Sequence, residues 1–421
     1  MSGHAERGGP GLDRIESAMC EALGRRAARM YDEIAEVVAI PTGGAHRPGL
    51  DDLRGRLLER LARLGAAATL HPGDPRPDWL DLPHERREHA DAEIPPTAVA
   101  ARLDGRGPRV LLAGHIDTVH DPAGAFRVLT RESETIARGP GAVDMKGGII
   151  LALNALEVLA EASVPLRFSF LLNSDEETGS FHSAAAIETA GRAHDVGIAL
   201  EPAGEGGALV VERMGSGHFR IDCTGRTAHA GRDFTKGVSA VVALAGAILE
   251  THRACDPAAG RIVNVGPLEG GLVSNAVPAS ASAWGNVRFA DPAAMEELAR
   301  RFRAIETPEG ALPGVRVRTA FARPAKPLTP EVDRFARAVA DVAGLLGQAL
   351  PFGKTGGVCD GNILQSVGLP TLDTLGIRGG NLHRTDEFIE IPSIVERARL
   401  LAVVLKRLCE GSIAVGPSRG G

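Results

Sequence analysis

Apolar residues recur at helical spacing near the start of the chain. Residues 15–38 carry this pattern, which stops before Pro41. The residue before a proline is disfavoured in the helical region, so we predict that the helix ends there. A second helix is predicted over residues 50–64. The segment 73–96 is rich in Pro, Asp, Glu, Arg and His without a clear period, which predicts a long surface loop.

Farther along, short apolar runs alternate with helix-like stretches. Each run ends in polar or glycine residues, as the buried strands of parallel sheets do. The alternation predicts an α/β fold, with a mostly parallel central sheet covered by helices on both faces. The apolar runs are 110–113, 168–172, 196–200 and 371–375, and the helix-like stretches include 148–160 and 183–189.

The middle of the chain, residues 213–323, has a different pattern. Its predicted order is β-α-β-β-α-β, which is that of the ferredoxin-like split βαβ sandwich, a complete small α+β domain. We therefore predict an inserted domain over 213–323, within a larger domain formed by 11–212 and 324–410. The predicted strands are 219–223, 261–265, 283–289 and 315–321, and the predicted helices are 236–252 and 292–305.

Composition excludes several classes of protein. The chain has 47 Lys and Arg against 53 Asp and Glu, and no basic block, so we expect no nucleic-acid partner. The longest apolar run, 241–249, is far shorter than the roughly 20 residues of a membrane helix. No apolar core of a signal peptide lies in the first ten residues, and the five cysteines are widely spread without a CxxC pair. We expect a soluble cytoplasmic protein without membrane contact or disulfide framework.

Polar residues follow the predicted strands directly. GHIDT, SDEETG and LEP come immediately after three of the runs, and NLHRTDEF follows the fourth after a glycine-rich turn. Ligands of open α/β sheets bind beyond the carboxyl ends of the strands, so these segments are expected to converge. His115 and Asp117 lie two apart, which places both on one face of a strand and pairs an imidazole ligand with an orienting carboxylate.

Each polar residue also has an ordinary structural interpretation. His115 and His383 are compatible with core histidines of an unrelated α/β fold, and Asp144 with a helix cap. Glu176 and Glu177, beside an aspartate, are compatible with a solvated charge run. Together these residues indicate a metal site more specifically than any one of them does. Two imidazoles and several carboxylates form a mixed N/O ligand field suited to Zn²⁺, Mn²⁺ or Co²⁺. Adjacent carboxylates can divide labour, one binding metal and the other moving a proton.

The motifs GHIDTV, GPGAVDMKGG, SDEETGS, LEP, GRTAHAG and NLHRTDEF occur in this order between roughly residues 30 and 410. This series resembles the M20 family of metallopeptidases and deacylases, which includes carboxypeptidase G2-like glutamate carboxypeptidases, acetylornithine deacetylase, succinyl-diaminopimelate desuccinylase and aminoacylase. The resemblance implies a zinc-peptidase-like catalytic domain with an inserted lid and dimerisation domain. It also implies two divalent metal ions, zinc first, with cobalt or manganese as alternatives.

The resemblance further assigns roles to residues of these motifs. Asp144 bridges the two ions, Glu176 is the general base, and Asp117 orients His115. The peptide bond between Asp144 and Met145 is expected to be cis, a costly geometry that occurs at functional sites. The implied ligands are His115, Asp144 and Glu201 for one ion, and Asp144, Glu177 and His383 for the other.

The resemblance also implies substrate contacts. A histidine of the inserted domain stabilises the oxyanion and, in dimeric members, reaches the partner's site, so a homodimer through the inserted domain is expected. A planar guanidinium suits a substrate carboxylate better than an ammonium, although a surface salt bridge is the alternative for each arginine. The histidine is His229, the carboxylate contacts are Asn275 and Arg288 with Arg323 as a third candidate, and Gly356 and Gly357 line the cleft.

The expected function is hydrolysis of an amide bond in a small molecule or peptide that bears a free carboxylate. The context of Asn275 and Arg288 favours a glutamate carboxypeptidase-like activity, with an N-acyl-amino-acid deacylase, acetylornithine deacetylase-like, as the alternative. A non-catalytic metal- or peptide-binding protein is the alternative from another class. It would be expected to lack the base or a ligand, and here every implied residue is in place.

Overall fold

The computed structural model describes residues 11–44, 46–82 and 94–415. Within these ranges the helices are α1 (Arg14–Arg25), α2 (Ala27–Val38), α3 (Arg47–Arg63), α4 (Gly147–Glu161), α5 (Ala184–Ala193), α6 (Ala240–His252), α7 (Pro292–Ala304), α8 (Pro330–Leu345), α9 (Asp360–Ser366) and α10 (Ile391–Cys409). The strands are β1 (Ala67–His71), β2 (Thr97–Arg102), β3 (Arg106–His115), β4 (Thr130–Arg131), β5 (Ile136–Arg138), β6 (Leu166–Asn173), β7 (Val196–Ala199), β8 (Leu209–Arg213), β9 (Gly215–Thr224), β10 (Arg261–Gly270), β11 (Ser280–Phe289), β12 (Gly314–Arg323), β13 (Phe352–Thr355), β14 (Thr371–Leu372), β15 (Gly379–Gly380) and β16 (Phe388–Glu390).

The first predicted helix is two helices, so the prediction of one continuous helix over 15–38 was wrong. Asp13 caps α1 through a capping box with Glu16, and the helical path breaks at Arg26, whose φ is −89° and ψ is 3°. The guanidinium of Arg26 contacts Glu157 and Glu161 of α4 at 3.3 and 2.5 Å. Helical periodicity continues across the break, which is why the sequence pattern did not reveal it.

The central sheet has the strand order β1-β2-β6-β3-β7-β14. Strands β6, β3, β7 and β14 are parallel neighbours, whereas β1 and β2 add to one edge in antiparallel pairs. Val110 and Leu112 of β3 face the main core, and Leu111 and Ala113 face a smaller core beneath α5 and α9. Both faces are therefore covered, which confirms the predicted α/β class.

A second sheet contains the predicted β-α-β-β-α-β unit. Its order is β10-β11-β9-β12, with every pair antiparallel, and α6 and α7 pack on one face around Phe219, Leu298 and Phe302. This is the ferredoxin-like arrangement. The chain enters and leaves this unit side by side, because Arg213 and Lys326 exchange backbone hydrogen bonds of 2.9 and 3.0 Å. The predicted division at 213 and 323 stays a prediction.

The other face of the inserted sheet contacts the predicted loop 73–96. Residues 83–93 of that loop lie outside the described residues. Before them, the helical turn Asp78–Leu80 packs on β9, and Trp284 of β11 donates from Nε1 to the carbonyl of Trp79 at 3.2 Å. Arg318 of β12 lies over the Trp79 ring at 6.0 Å. The described part of the loop therefore ties the central sheet to the inserted one.

No described helix combines the length and the apolar character that crossing a bilayer requires. The five cysteine thiols are all unpaired.

Candidate active site

The polar residues that follow the strands meet at one edge of the central sheet. His115 is the last residue of β3, Glu176 lies just after β6, and Glu201 follows β7 by two positions. Parallel strands present their carboxyl ends on the same side, which brings these segments together. His383 enters from the turn between β15 and β16, and Asp144 from the irregular turn that precedes α4.

Asp144 lies between the two imidazoles. Its Oδ1 is 3.1 Å from Nε2 of His115, and its Oδ2 is 3.4 Å from Nε2 of His383. Glu177 Oε2 is 3.2 Å from the same nitrogen of His383. The ligand atoms of His115, Asp144 and Glu177 all lie within 4.8 Å of one another. The Asp144–Met145 peptide bond is cis, as the resemblance implied.

These separations fit divalent cations. Two ligand atoms on a tetrahedral zinc ion, each about 2.0–2.1 Å from it, lie about 3.3 Å apart. Glu201 is 8% exposed, and its carboxylate accepts no hydrogen bond from the described part of the chain. Burial raises the pKa of Glu201 well above its ordinary value, and the charges of Asp144 and Glu176 raise it further. A buried, crowded set of carboxylate and imidazole donors without thiolate is suited to divalent cations.

The electrostatics of the cluster follow from burial and close pairing. Hydrogen bonds to Asp144 and Glu177 raise the pKa of His383 to about 10. Burial would lower the pKa of His115, but Asp117 and Asp144 raise it well above its usual value. Burial also raises the pKa of Glu176 to about 7, against the opposing charge of Arg323. Glu176 thus differs from Asp144, whose pKa the two imidazoles hold low despite burial.

Asp117 holds several parts of the site together. Its carboxylate accepts hydrogen bonds from the backbone N–H groups of Glu176 and Glu177 at 3.3 and 2.9 Å. His115 Nδ1 is 3.1 Å from the backbone carbonyl of Asp117 and 3.5 Å from its carboxylate. The nearer partner of the imidazole is therefore the carbonyl. The predicted orienting role of Asp117 fits this geometry and stays a prediction.

Sequence reasoning missed Glu387. This carboxylate is 1% exposed and accepts the backbone N–H groups of Gly141, Val143 and Asp144 at 3.0, 2.9 and 3.2 Å. It also pairs with His120 Nε2 at 2.6 Å. Glu387 thus shapes the turn that presents Asp144. Its signal was the second acidic residue of NLHRTDEF, in the same motif as His383.

Arg323 is buried against Glu176. Its side chain is 3% exposed and its Nη1 lies 2.9 Å from Glu176 Oε1. Nη2 donates to the Glu176 carbonyl at 3.1 Å and to Ser180 Oγ at 2.7 Å. The guanidinium is thus occupied by Glu176 and the turn that follows it. This geometry does not favour the predicted contact with a substrate carboxylate.

The other substrate-binding candidates lie on the inserted domain. Arg288 of β11 and Arg323 of β12 both stand opposite Ser216 of β9, so the two arginines share one row of the sheet. His229 and Asn275 are exposed and lie on adjoining loops, where Ala230 N–H donates to the Asn275 carbonyl at 2.9 Å. In the described chain no hydrogen bond or ion pair joins His229 or Asn275 to the metal-ligand cluster. Their roles stay predictions.

Gly356 and Gly357 lie in an exposed loop that adjoins the crossing into the inserted domain. The Gly357 carbonyl accepts a hydrogen bond from Arg213 Nη1 at 3.2 Å, and Arg213 forms a buried two-bond pair with Asp373. Sequence reasoning missed this pair. Cys359 nearby is 1% exposed, and burial raises the pKa of its thiol well above the usual value, which agrees with an inert structural thiol.

The chain is similar to known peptidases and desuccinylases over most of its length. The profile of peptidase family M20/M25/M40 matches residues 111–407. Carboxypeptidase G2 from Pseudomonas sp. strain RS-16 is 30% identical over 329 residues, covering 74% of this chain and 77% of that protein. A succinyl-diaminopimelate desuccinylase from Gluconacetobacter diazotrophicus is 27% identical over 334 residues, covering 73% and 83%.

The fold of the chain is also similar to that of a solved M20 family structure. The crystal structure of an M20 family metallo-carboxypeptidase from Sulfolobus solfataricus superposes with a TM-score of 0.67 at 16% identity, covering 95% of this chain and all of that one. The shared fold therefore extends over nearly the whole chain. Because the family profile also matches well over half of the sequence, the chain belongs to peptidase family M20/M25/M40.

Proposed function

We propose that this metal-dependent hydrolase cleaves the amide bond of a small substrate with a free carboxylate, in the manner of a glutamate carboxypeptidase. The observation that carries the proposal is Asp144, held between His115 and His383 with Glu177 beside it. His115, Asp144 and Glu201 would hold one divalent ion, and Asp144, Glu177 and His383 the second. When bound, such ions supply positive charge for the developing oxyanion and lower the pKa of a water molecule.

Glu176 is suited to moving the proton. Arg323 holds its Oε1, whereas Oε2 accepts no hydrogen bond from the described residues. Burial raises its pKa to about 7, so that near neutral pH the group can take up and return a proton. In amide hydrolysis, Oε2 would accept the proton of the attacking water and deliver it to the leaving nitrogen. The neighbouring Glu177, turned towards His383, is left to bind metal.

His229 has the tautomer that an oxyanion donor needs. The backbone N–H groups of Gly231 and Arg232 both donate to its Nδ1, at 3.1 and 3.2 Å. An imidazole that accepts at Nδ1 carries its hydrogen on Nε2, so the exposed ring presents a donor. The proposed acceptor is the carbonyl oxygen of the scissile amide. Because His229 has no described link to the cluster, a second copy of the chain is the proposed partner.

A surface suited to that second copy lies on the inserted domain. Val242 and Leu249 of α6 are 71% and 64% exposed, and Leu268 of β10 is 60% exposed. Strand β10 is an edge of the four-stranded sheet. An unpaired strand edge beside exposed apolar side chains favours association with another chain. We therefore propose a homodimer through this surface.

Arg288 is the proposed anchor for the substrate carboxylate. It is half-buried, and its Nη1 contacts Ser216, Asn286 Oδ1 and the Val287 carbonyl. Nε and Nη2 donate to no described residue, which leaves N–H groups for a carboxylate. We propose C-terminal glutamate conjugates as the first candidate substrates, because the motifs resemble those of carboxypeptidase G2-like glutamate carboxypeptidases and carboxypeptidase G2 is among the similar proteins. The desuccinylase relative supports N-acyl amino acids as the second candidate.

The test is a substrate panel on zinc-loaded protein. N-acyl amino acids and dipeptides, with glutamate or another residue as the released amine, are incubated with the enzyme while amine release is followed. We expect turnover of a carboxylate-bearing amide, lost on chelation and restored by zinc.

Glu176→Gln should lower kcat by about 10²–10⁴-fold, while metal content stays the same. The control is Glu205→Gln at an exposed position. Unchanged turnover in Glu176→Gln would remove the proposed base, and a protein without stoichiometric metal would refute the site.

A further inference from the structure

Arg323 connects the inserted sheet to Glu176. It is the last residue of β12, and its guanidinium binds Glu176 twice, at Oε1 and at the backbone carbonyl, over 2.9 and 3.1 Å. Glu176 itself follows β6 of the central sheet. One side chain of the inserted domain therefore fixes both the carboxylate and the backbone of the proposed base.

A β-bulge sets the direction of Arg323. On β12, Ala320 pairs with His218 of β9, and Arg323 pairs with Ser216. Strand β12 therefore advances three residues over the length in which β9 advances two. The extra residue of a bulge re-aims the side chains that follow it. Here it directs the guanidinium out of the inserted sheet and into the turn after β6. The bulge is thus the local feature that makes the contact with Glu176.

The turn after β6 supplies the other hydrogen-bond acceptors of the Arg323 guanidinium. Ser180, with a positive φ of 53°, accepts from Arg323 Nη2 and donates from its hydroxyl to Asp360 Oδ1 at 2.6 Å. Gly179, also with a positive φ of 103°, offers its carbonyl to Nε at 3.4 Å. These contacts leave a single N–H of Nη1 without a described acceptor. A bidentate interaction with a substrate carboxylate would need two N–H groups that have no other acceptor.

We propose that Arg323 is a positioning residue, whose guanidinium holds Oε1 of Glu176, leaves Oε2 to take the proton, and makes the placement of the base depend on the inserted sheet. This inference rests on the proposed function, because it takes Glu176 as the base. Arg288, one strand away in the same row, keeps the role of binding the substrate carboxylate.

The first test is Arg323→Lys, assayed with the best substrate of the panel. An ammonium keeps the charge but cannot make the forked set of contacts. We expect kcat to fall by about 10–100-fold, as for a displaced catalytic group, with little change in KM. Arg318→Lys on the same strand, about half exposed, is the matched control and should keep both constants. A loss confined to KM would overturn the proposal.

The second test separates positioning from substrate binding. The substrate is compared with its analogue in which the free carboxylate is a primary amide. If Arg323 positions the base, this change raises KM by the same factor in the wild type and in Arg323→Lys. In Arg288→Lys the same change of substrate should raise KM by a smaller factor, because the proposed binding site for the carboxylate is already weakened. A smaller factor in Arg323→Lys would overturn the assignment.

The third test needs no turnover. Urea unfolding of the zinc-loaded wild type, Arg323→Met, Glu176→Gln and the double variant gives the coupling between the two side chains. Arg323→Met leaves the buried Glu176 without its hydrogen-bonded cation, whereas Glu176→Gln leaves Arg323 with the more distant carboxylate of Asp360, whose Oδ1 is 3.6 Å from Nη2. We therefore expect a coupling of at least about tenfold in the unfolding equilibrium constant. Coupling near unity would refute the contact. Strong coupling in a protein that hydrolyses no panel member would instead refute the proposed function.

Discussion

Glu387 is a buried side chain that supports the turn carrying Asp144, a proposed metal ligand, without being a proposed ligand itself. Its two oxygens accept three backbone N–H groups of the turn that carries Asp144. An amide at this position would turn an NH₂ donor towards at least one of those N–H donors. The turn would then lose a hydrogen bond and gain a donor-donor clash, and the Asp144 carboxylate would be held less firmly.

We therefore expect Glu387→Gln to weaken zinc binding by about 10–100-fold, the usual effect of losing an outer-shell hydrogen bond, while the fold is retained. Competition with a chelator of known affinity measures the change, and circular dichroism checks the fold. Glu205→Gln serves as the exposed control. Zinc affinity equal to that of the wild type would show that Glu387 does not support Asp144.

The residues of this site divide into two groups by predictability. His115, Asp144, Glu176, Glu177, Glu201 and His383 could be named from the sequence, because each stands next to a strand end or a glycine-rich turn. The contacts of Glu387 and Asp373 could not be named from the sequence. Only the folded chain shows that Glu387 accepts backbone N–H groups and that Asp373 pairs with Arg213. The contact of Arg323 with Glu176 could not be predicted for the same reason.

At the scale of elements, α1 is fastened to the last helix by ion pairs. Arg407 of α10 binds Glu16 through Nε and Nη2 at 2.7 and 3.0 Å, and Lys406 contacts Asp13 at 2.5 Å. Burial would raise the pKa of Glu16, but the hydrogen bond from Arg407 lowers it below its ordinary 4.5. A lowered carboxyl pKa contributes stability that is present above 4.5 and is lost as pH falls through the folded value.

Glu16→Gln should therefore lower the free energy of unfolding by about 1–3 kcal/mol at neutral pH, as for a hydrogen bond between charged groups. The deficit relative to the wild type should shrink as pH falls below 4.5. Urea titrations at a series of pH values measure it. Glu21→Gln on the same helix, whose side chain is 74% exposed, should have little effect at any pH. A deficit independent of pH would exclude the ion pair as its source.

Element types were predictable where apolar periodicity was strong, and boundaries less so. The four runs of the central sheet and all six elements of the inserted unit are present. The break at Arg26 was missed because the helical pattern continues through it. Helix α3 begins three residues before its predicted start, since Pro48 is tolerated in the first helical turn. The predicted strand 371–375 is reduced to Thr371–Leu372.

At the scale of the whole molecule, the proposed dimer makes a prediction about mixed variants. Glu176→Gln lacks the base, and His229→Ala lacks the proposed oxyanion donor, so each alone should be nearly inactive. In a dimer of one chain of each kind, the second chain has its Glu176 and receives His229 from the first. Random exchange should restore about one quarter of the wild-type sites, since half of the dimers are mixed and each has one complete site.

Val242→Asp on the exposed face of α6 provides the control. A charge at this face should give a monomer by sedimentation and abolish complementation, whereas the zinc content of the chain stays the same. Activity that does not recover on mixing, in a protein shown to exchange subunits, would place His229 in the active site of its own chain.

The sequence by itself determined the kinds of element, their order and the donors beside the strand ends, because periodicity and neighbouring residues are local properties of the chain. Tertiary structure alone decided that Asp144 stands between two imidazoles, that Glu387 shapes its turn, and that a bulge turns Arg323 towards Glu176. Those contacts join residues far apart in the chain, and their geometry depends on strand register and packing, which no local pattern encodes.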